Sequence, residues 1–150
     1  MNATEMKTSG AGRALIRRFE GFRKQAYLCP AGVWTIGYGH TRGVKKGDTC
    51  TVQQADVWLT EDLEDAEAAL AMLVKSPLTQ GQFDALASFT FNLGTRRLAE
   101  STLLILVNKG SYRAAAAQLG RWVNAGGQKL KGLVDRRAAE TELFLAGIPT

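Results

Sequence analysis

Apolar residues recur every three or four positions over most of this chain, which is the spacing of an amphipathic helix. The clearest run covers residues 52–74, where Thr51 is the predicted N-cap and Gln54 occupies the capping-box position. Pro77 is expected to stop this helix. The pattern therefore predicts one long helix with an apolar stripe along its length.

Shorter segments on both sides of the long helix have the same helical pattern. The first is expected to end near Gly21, with Leu15, Ile16 and Phe19 on its inward face. The first ten residues are polar and are expected to be loose. Downstream, one helix is predicted from Thr79 to Gly94, with a second capping box at Gln82. Three more are predicted at 101–109, from Ser111 as the cap to Trp122, and at 133–146, and a loop is expected at 124–132.

The segment from Lys24 to Gly47 breaks the helical pattern. Pro30 and several glycines punctuate it, and β-branched and aromatic residues at 33–36 lie between them. This composition predicts a small antiparallel sheet of two or three strands. Because strands and helices are segregated, we expect an α+β fold in one domain, residues 1–150. The long helix is expected to join a small sheet lobe to a larger helical lobe, with a cleft between them that suits a polymer substrate.

The charge balance narrows the expected partners. The net charge of +5 and the sequence pI of about 9.5 favour a polyanionic partner. However, the long helix carries six acidic residues and no basic one between Asp56 and Glu67. A nucleic-acid-binding protein would more often keep basic residues there, so we expect no nucleic acid. Residues 1–14 contain no apolar run, so we expect neither a signal peptide nor stable membrane insertion, and synthesis in the cytoplasm.

The chain has two cysteines, Cys29 and Cys50, and one histidine. Two cysteines are compatible with one disulfide bridge or with two free thiols, and the sequence leaves both open. Two Cys and one His at these spacings do not form a zinc pattern. We therefore expect neither a metal nor a cofactor.

One acidic residue stands in a segment that points to chemistry. Glu20 ends the first predicted helix between Phe19 and Phe22, and apolar surroundings favour the protonated carboxyl that a general acid needs. Eight residues separate Glu20 from Cys29, and five more separate Cys29 from Thr35. With this spacing and the segment WTIGYGH that begins at residue 34, the chain resembles the phage lysozyme and endolysin family, glycoside hydrolase family 24. Further matching segments extend the resemblance to about residues 10–147: FNLG at 91–94, STLL at 101–104, RWVNAGG at 121–127 and GLV with two arginines at 132–137.

The resemblance implies a lysozyme-like fold and a muramidase, which hydrolyses the β-1,4 bond between N-acetylmuramic acid and N-acetylglucosamine in peptidoglycan. Glu20 would protonate the leaving oxygen, and Thr35 would hold the attacking water. Asn92 and Asn124 would line the cleft and bind sugar hydroxyl and acetamido groups. His40 would have a structural role.

Two arginines are candidates for orienting the acid. Either Arg136 or Arg137 is expected to reach Glu20, and Arg137 is the supporting residue that we select. The common alternative for such arginines is a surface ion pair with Glu140.

The resemblance also implies a biological setting. We expect a monomer that lyses the host at phage release. A separate membrane-permeabilising protein would give it access to the cell wall, and its basic surface would help it bind that anionic wall.

Cys29 stands where a second carboxylate is usual in a glycosidase. Its thiolate could attack the anomeric carbon or stabilise positive charge, its thiol could orient water, or it could merely fill the site. Retention and inversion of configuration both remain open.

Two rival functions stay in view. One is a peptidoglycan amidase or peptidase that uses Cys29 with His40. The other is a non-catalytic wall-binding module whose tryptophans, Trp34, Trp58 and Trp122, stack on sugars.

Overall fold

The computed structural model describes residues 1–148, and this range contains seven α-helices and two small antiparallel sheets. A short 3-10 turn precedes them at the N-terminus. In chain order the elements are the 3-10 turn Ala3–Glu5, α1 (Gly10–Glu20), β1 (Arg23–Leu28), β2 (Trp34–Gly37), α2 (Val52–Leu73), α3 (Gln80–Leu93), α4 (Thr95–Ala99), α5 (Thr102–Asn108), α6 (Tyr112–Leu119), β3 (Asn124–Ala125), β4 (Gln128–Lys129) and α7 (Lys131–Leu145).

The long helix α2 forms as predicted and joins the two lobes. Its capping box is complete, since Gln54 N donates to Thr51 Oγ1 at 3.1 Å and Thr51 N donates to Gln54 Oε1 at 2.8 Å. Near its start Ala55 packs in the core of the sheet lobe, and near its end Leu70 packs in the core of the helical lobe. Leu59 and Leu63, in the middle of α2, pack with Ile16 of α1, so α2 contributes to three hydrophobic clusters.

The sheet lobe contains two paired strands. In the antiparallel pair β1–β2, Tyr27 lies opposite Thr35 and Leu28 opposite Trp34. The residue that would extend the sheet to a third strand, Thr49, contributes only an isolated bridge. This pairing places the turn after β1 at the exposed end of the lobe.

The helical lobe holds the larger core. Phe83, Leu86 and Phe89 on α3 are fully buried, as their spacing predicted, and burying each stabilises the fold by roughly 1.5–3 kcal/mol. Helix α7 packs against α3, α6 packs against both α5 and α7, and buried residues of all four helices belong to one cluster. The predicted α+β class is confirmed by this arrangement. Within residues 1–148 no helix is both long and apolar enough to cross a membrane.

The expectation of a loose N-terminus is wrong. Ala3 and Met6 are buried in the core of the helical lobe, and the Met1 ammonium group donates to Leu78 O at 3.0 Å. The partner surface lies more than seventy positions along the chain, so the local polar composition could not show it.

The loop expected at 124–132 is also wrong in part, because it contains the β3–β4 hairpin. Gly126 and Gly127 have φ values of +58° and +77°, which suits a two-residue hairpin turn. Helix α7 then begins at Lys131, two residues before its predicted start.

Two smaller expectations in the helical lobe are wrong as well. The Ser111 side chain forms no cap bond, and α6 ends at Leu119 rather than at Trp122. Helix α4 was not predicted, because five residues are too few to show a helical period.

Candidate active site

Glu20 ends α1 at the junction between the two lobes. The Ser9 side chain caps the start of α1, and Gly21, with φ of +72°, ends it. The Glu20 side chain is 19% exposed, and its Oε2 accepts a hydrogen bond from Arg136 Nη1 at 2.6 Å. The carboxyl group is thus held from α7 on one side.

The other carboxyl oxygen of Glu20 faces the turn after β2. Gly39 has φ of +76°, and a Cβ built on it would lie 2.6 Å from Glu20 Oε1. Only a residue without a side chain can approach the carboxyl this closely. Glu20 is therefore set between α7 and the sheet lobe.

Cys29 and Thr35 lie together in the sheet lobe. Cys29 N donates to Val33 O at 3.0 Å, which closes the turn between the strands. A backbone hydrogen bond from Val33 lowers the pKa of the Cys29 thiol against a smaller opposing effect of burial, and the backbone of Ala31 and the Thr35 side chain lower it further. The thiolate form of Cys29 is thus more accessible than it would be in an unperturbed cysteine.

The two cysteines are free thiols rather than a disulfide. Cys50 is buried, its Sγ lies 3.7 Å from Arg23 O, and burial raises the pKa of its thiol. Cys29 therefore remains available for chemistry, whereas Cys50 is part of the sheet-lobe core.

Asn92, near the end of α3, lies where sequence reasoning expected a substrate contact. The residues that line one surface pocket include Glu20, Asn92, Arg136, Leu130 and Leu133. The pocket therefore places an amide next to the acidic group.

The choice of Arg137 as the residue that supports Glu20 is wrong. Arg136 contacts Glu20, whereas Arg137 Nη2 donates to Asn92 Oδ1 at 2.8 Å and to Glu140 Oε2 at 3.0 Å. The alternative of a surface ion pair with Glu140 is also wrong, because Arg137 is 1% exposed and Glu140 is fully buried. Neighbouring helical positions point about 100° apart, so only the packing of α7 decides which arginine faces α1.

His40, for which a structural role was expected, is buried. Its Nδ1 lies 2.8 Å from Asp62 Oδ2, and its ring stacks on Trp58 with centroids 4.6 Å apart. Asp62 is an orienting carboxylate that the sequence analysis did not find. The His40 side chain contacts Asp62 and Trp58 on α2, and within residues 1–148 no hydrogen bond joins it to Cys29, so no Cys29–His40 pair forms.

Four other residues were expected to contact sugar, namely Asn124 and the three tryptophans. Asn124 is exposed on β3 and does not line the pocket at Glu20, so its role stays a prediction. Trp34, Trp58 and Trp122 are all half-buried, and Trp122 packs edge-on against Phe89.

The chain is similar in sequence and in structure to known proteins of one family. The family model of phage lysozyme matches residues 17–140. The chain belongs to the phage lysozyme family. The expected function, a lysozyme of the endolysin type that acts in host lysis, is confirmed by its relatives.

Three of those relatives show how closely this lysozyme follows the family. The endolysin of Acyrthosiphon pisum secondary endosymbiont phage 1 is 45% identical over 93% of this chain and 98% of its own length. The muramidase domain of SpmX from Asticaccaulis excentricus is 44% identical, with a TM-score of 0.89 over 94% of this chain and 99% of that one. A variant of P22 lysozyme is 39% identical, with a TM-score of 0.84 over 94% of this chain and 99% of that one.

The lysozyme also contains residues near the site that sequence reasoning missed. Ser88 on α3 and Glu140 on α7 are fully buried and hydrogen-bonded to each other behind Arg136. Burial lowers the pKa of Arg137 and raises that of Glu140, while the ion pair between them opposes both shifts. The spacing of Glu140 from the two arginines is a sequence signal, but it is equally typical of an exposed helix face.

Proposed function

We propose that this lysozyme is a muramidase that hydrolyses the β-1,4 bond between N-acetylmuramic acid and N-acetylglucosamine, with Glu20 as the general acid. The observation that carries the proposal is the placement of one carboxyl between Arg136 and Gly39, in a pocket that also presents Asn92. A glycosidase needs a positioned acid next to its leaving oxygen.

The two oxygens of Glu20 have different tasks in this mechanism. Arginine can only donate hydrogen bonds, so Arg136 occupies Oε2 with a donor and favours the acidic proton on Oε1. Gly39 leaves room beside Oε1 because it has no side chain. The leaving oxygen of the sugar would accept the proton there.

Thr35 and Cys29 would act on the other half of the reaction. The Thr35 hydroxyl would hold the attacking water, or shape the place where it sits. The Cys29 thiolate would stabilise positive charge on the sugar ring, orient water or attack the anomeric carbon, and its lowered pKa makes the charged form more available. Asn92 and Asn124 would bind sugar hydroxyl and acetamido groups.

Product chemistry tests the proposal and both rivals together. The protein is incubated with purified peptidoglycan, and the new reducing ends are labelled with borohydride. A muramidase gives reduced muramic acid, whereas an amidase or peptidase gives new amino groups without reducing ends, and a binding module gives neither.

Glu20→Gln is the decisive variant, because it keeps the shape of the side chain but has no acidic proton to give. It should lose at least about 100-fold in rate. Glu64→Gln, on the exposed face of α2, is the matched control and should keep full activity. An active Glu20→Gln protein would refute the assignment of the acid.

Cys29→Ser separates the roles of the thiol. Full activity would exclude a covalent thiol intermediate and leave Cys29 as a filler or a water-orienting group. A large loss that goes with a change in the anomeric product would support a nucleophile.

The wider setting belongs to the same proposal. The lysozyme would act as a monomer on peptidoglycan, after a separate membrane-permeabilising protein lets it pass from the cytoplasm of the host to the periplasm. Its net charge of +5 would draw it to the anionic wall.

A further inference from the structure

Behind the candidate active site lies a buried ionic cluster, which consists of Ser88, Arg136, Arg137 and Glu140. Glu140 is fully buried, and the side chains of Arg136 and Arg137 are 4% and 1% exposed. Burying charges is costly unless each is paired and hydrogen-bonded. Glu140 offsets this cost by pairing with both arginines, although Arg137 Nη1 has no hydrogen-bond partner within residues 1–148.

One branch of the cluster leads to Glu20. Arg136 Nε donates to Ser88 Oγ at 3.2 Å, and Ser88 Oγ donates to Glu140 Oε2 at 2.6 Å. Arg136 Nη2 also donates to Ser88 O at 3.3 Å. With its Nε and Nη2 held in this way, the Arg136 guanidinium has one orientation, and that orientation aims Nη1 at Glu20.

The second branch leads to Asn92. The same Glu140 Oε2 accepts from Arg137 Nη2 at 3.0 Å, and Nη2 also donates to Asn92 Oδ1 at 2.8 Å. Because a guanidinium has no acceptor, the amide oxygen of Asn92 has to face Arg137. Its NH₂ group is then the part that remains for the pocket, where it can donate to a carbonyl such as that of an acetamido group.

Charge balance joins the two branches. Arg136 and Arg137 carry two positive charges, and Glu140 and Glu20 supply two negative ones within hydrogen-bond reach. Among the contacts of Glu20 in residues 1–148, Arg136 is the charged partner, and it also lies 3.6 Å from Glu140. Without Glu140, the full positive charge of Arg136 would act on Glu20 and favour its ionised form.

We propose that Glu140 is a positioning residue for the glycosidase reaction, because one buried carboxylate sets the orientation of the acid through Arg136 and of the sugar-binding amide through Arg137. The inference rests on the proposed function, in which Glu20 is the acid and Asn92 a substrate contact. Glu140 itself is fully buried and ion-paired with both arginines, so its effect on the reaction would pass through them.

The test is steady-state kinetics on soluble, uncrosslinked glycan strands across a range of pH values. Glu140→Gln keeps the side-chain volume and removes the charge. Its kcat should fall about tenfold, its KM should rise about threefold, and the alkaline limb of its kcat profile should move to lower pH by about half a unit. Ser88→Ala cuts only the branch to Glu20, so its kcat should fall about threefold with KM unchanged.

Asp84→Asn is the matched control, because the Asp84 carboxylate is buried like that of Glu140 but lies on α3, outside the cluster. It accepts from Ser9 N and Gln80 Nε2, each at 2.9 Å, and also from Ser9 Oγ. This variant should melt at a lower temperature but keep the wild-type kcat, KM and pH profile.

The inference is overturned if Glu140→Gln is destabilised like Asp84→Asn but keeps the wild-type kcat, KM and pH limb. If Glu140→Gln does not fold, Ser88→Ala decides, and an unchanged kcat overturns the inference. An active Glu20→Gln protein would instead refute the proposed function, so the two failures are distinguishable.

Discussion

Replacing Gly39 with alanine tests whether the sheet lobe sets the position of the acid. The added methyl group would lie 2.6 Å from Glu20 Oε1, a distance that real Cβ atoms essentially never show. Reaching ordinary contact at 3.4 Å requires the carboxylate and the turn to separate by about 0.8 Å. Such a shift stretches the 2.6 Å contact with Arg136 and fills the space proposed for the leaving oxygen.

Two effects of Gly39→Ala have to be separated. The φ of +76° costs an alanine roughly 1–2 kcal/mol in folding free energy, which corresponds to a loss of about 2–8 °C in Tm for a protein of this size. Misplacement of a catalytic group by about 1 Å can cost about 100-fold in rate. We therefore expect a modest loss of stability and a large loss of activity.

Gly43→Ala is the matched control. Gly43 has φ of +72°, and a Cβ built there would meet nothing within 4 Å. The Gly43→Ala protein should lose about as much folding stability as Gly39→Ala but keep its activity within about twofold of the wild-type protein. Both variants are assayed for clearing of outer-membrane-permeabilised cells, well below their melting temperatures. Equal activity of the two alanine variants would refute the reasoning, because the backbone cost would then be the whole effect.

Three further predictions concern other parts of the molecule. Iodoacetamide should alkylate Cys29 in the folded protein at a lower pH than in the unfolded chain, because the backbone of Val33 lowers the pKa of the thiol. Mass spectrometry should find the buried Cys50 unmodified, and equal pH midpoints for the folded and unfolded chains would contradict the prediction. Glu67→Ala should lower the Tm by about 2–10 °C in calorimetry and leave the rate at 25 °C unchanged, because Thr8 N and Oγ1 lose their acceptor at 2.7 and 2.8 Å. Lytic activity should fall as salt rises from 0.05 to about 1 M, since screening weakens binding to the wall, and salt-independent clearing would exclude that role for the charge.

The elements with local signals were predictable. The capping boxes at Thr51 and Thr79 formed as predicted, because each needs only residues three positions apart. The glycines at 21 and 94 stop their helices for a similarly local reason. Glu20 and its spacing to Cys29 and Thr35 were found through resemblance to a family rather than through physics alone.

The wrong predictions concern contacts between residues that are far apart in the sequence. The N-terminal segment was expected to be loose, yet it is tied to Leu78 and Glu67, residues that no local pattern connects with it. Arg136 and Arg137 are adjacent and chemically identical in sequence. The rotation of α7 against α1 and α3 decides that one holds Glu20 and the other Asn92.

The sequence by itself determined the long helices, the sheet lobe and the order of the two lobes, because these depend on local spacing and residue type, and its resemblance to a family proposed Glu20 as the acid. Tertiary structure alone decided what surrounds that acid. Gly39 reaches Glu20 from the turn after β2 and Arg136 reaches it from α7, while Glu140, which lies behind Arg136, is 120 positions away in the sequence. A carboxyl group becomes a useful acid through its neighbours, and neighbours brought together by packing are not visible in a one-dimensional pattern.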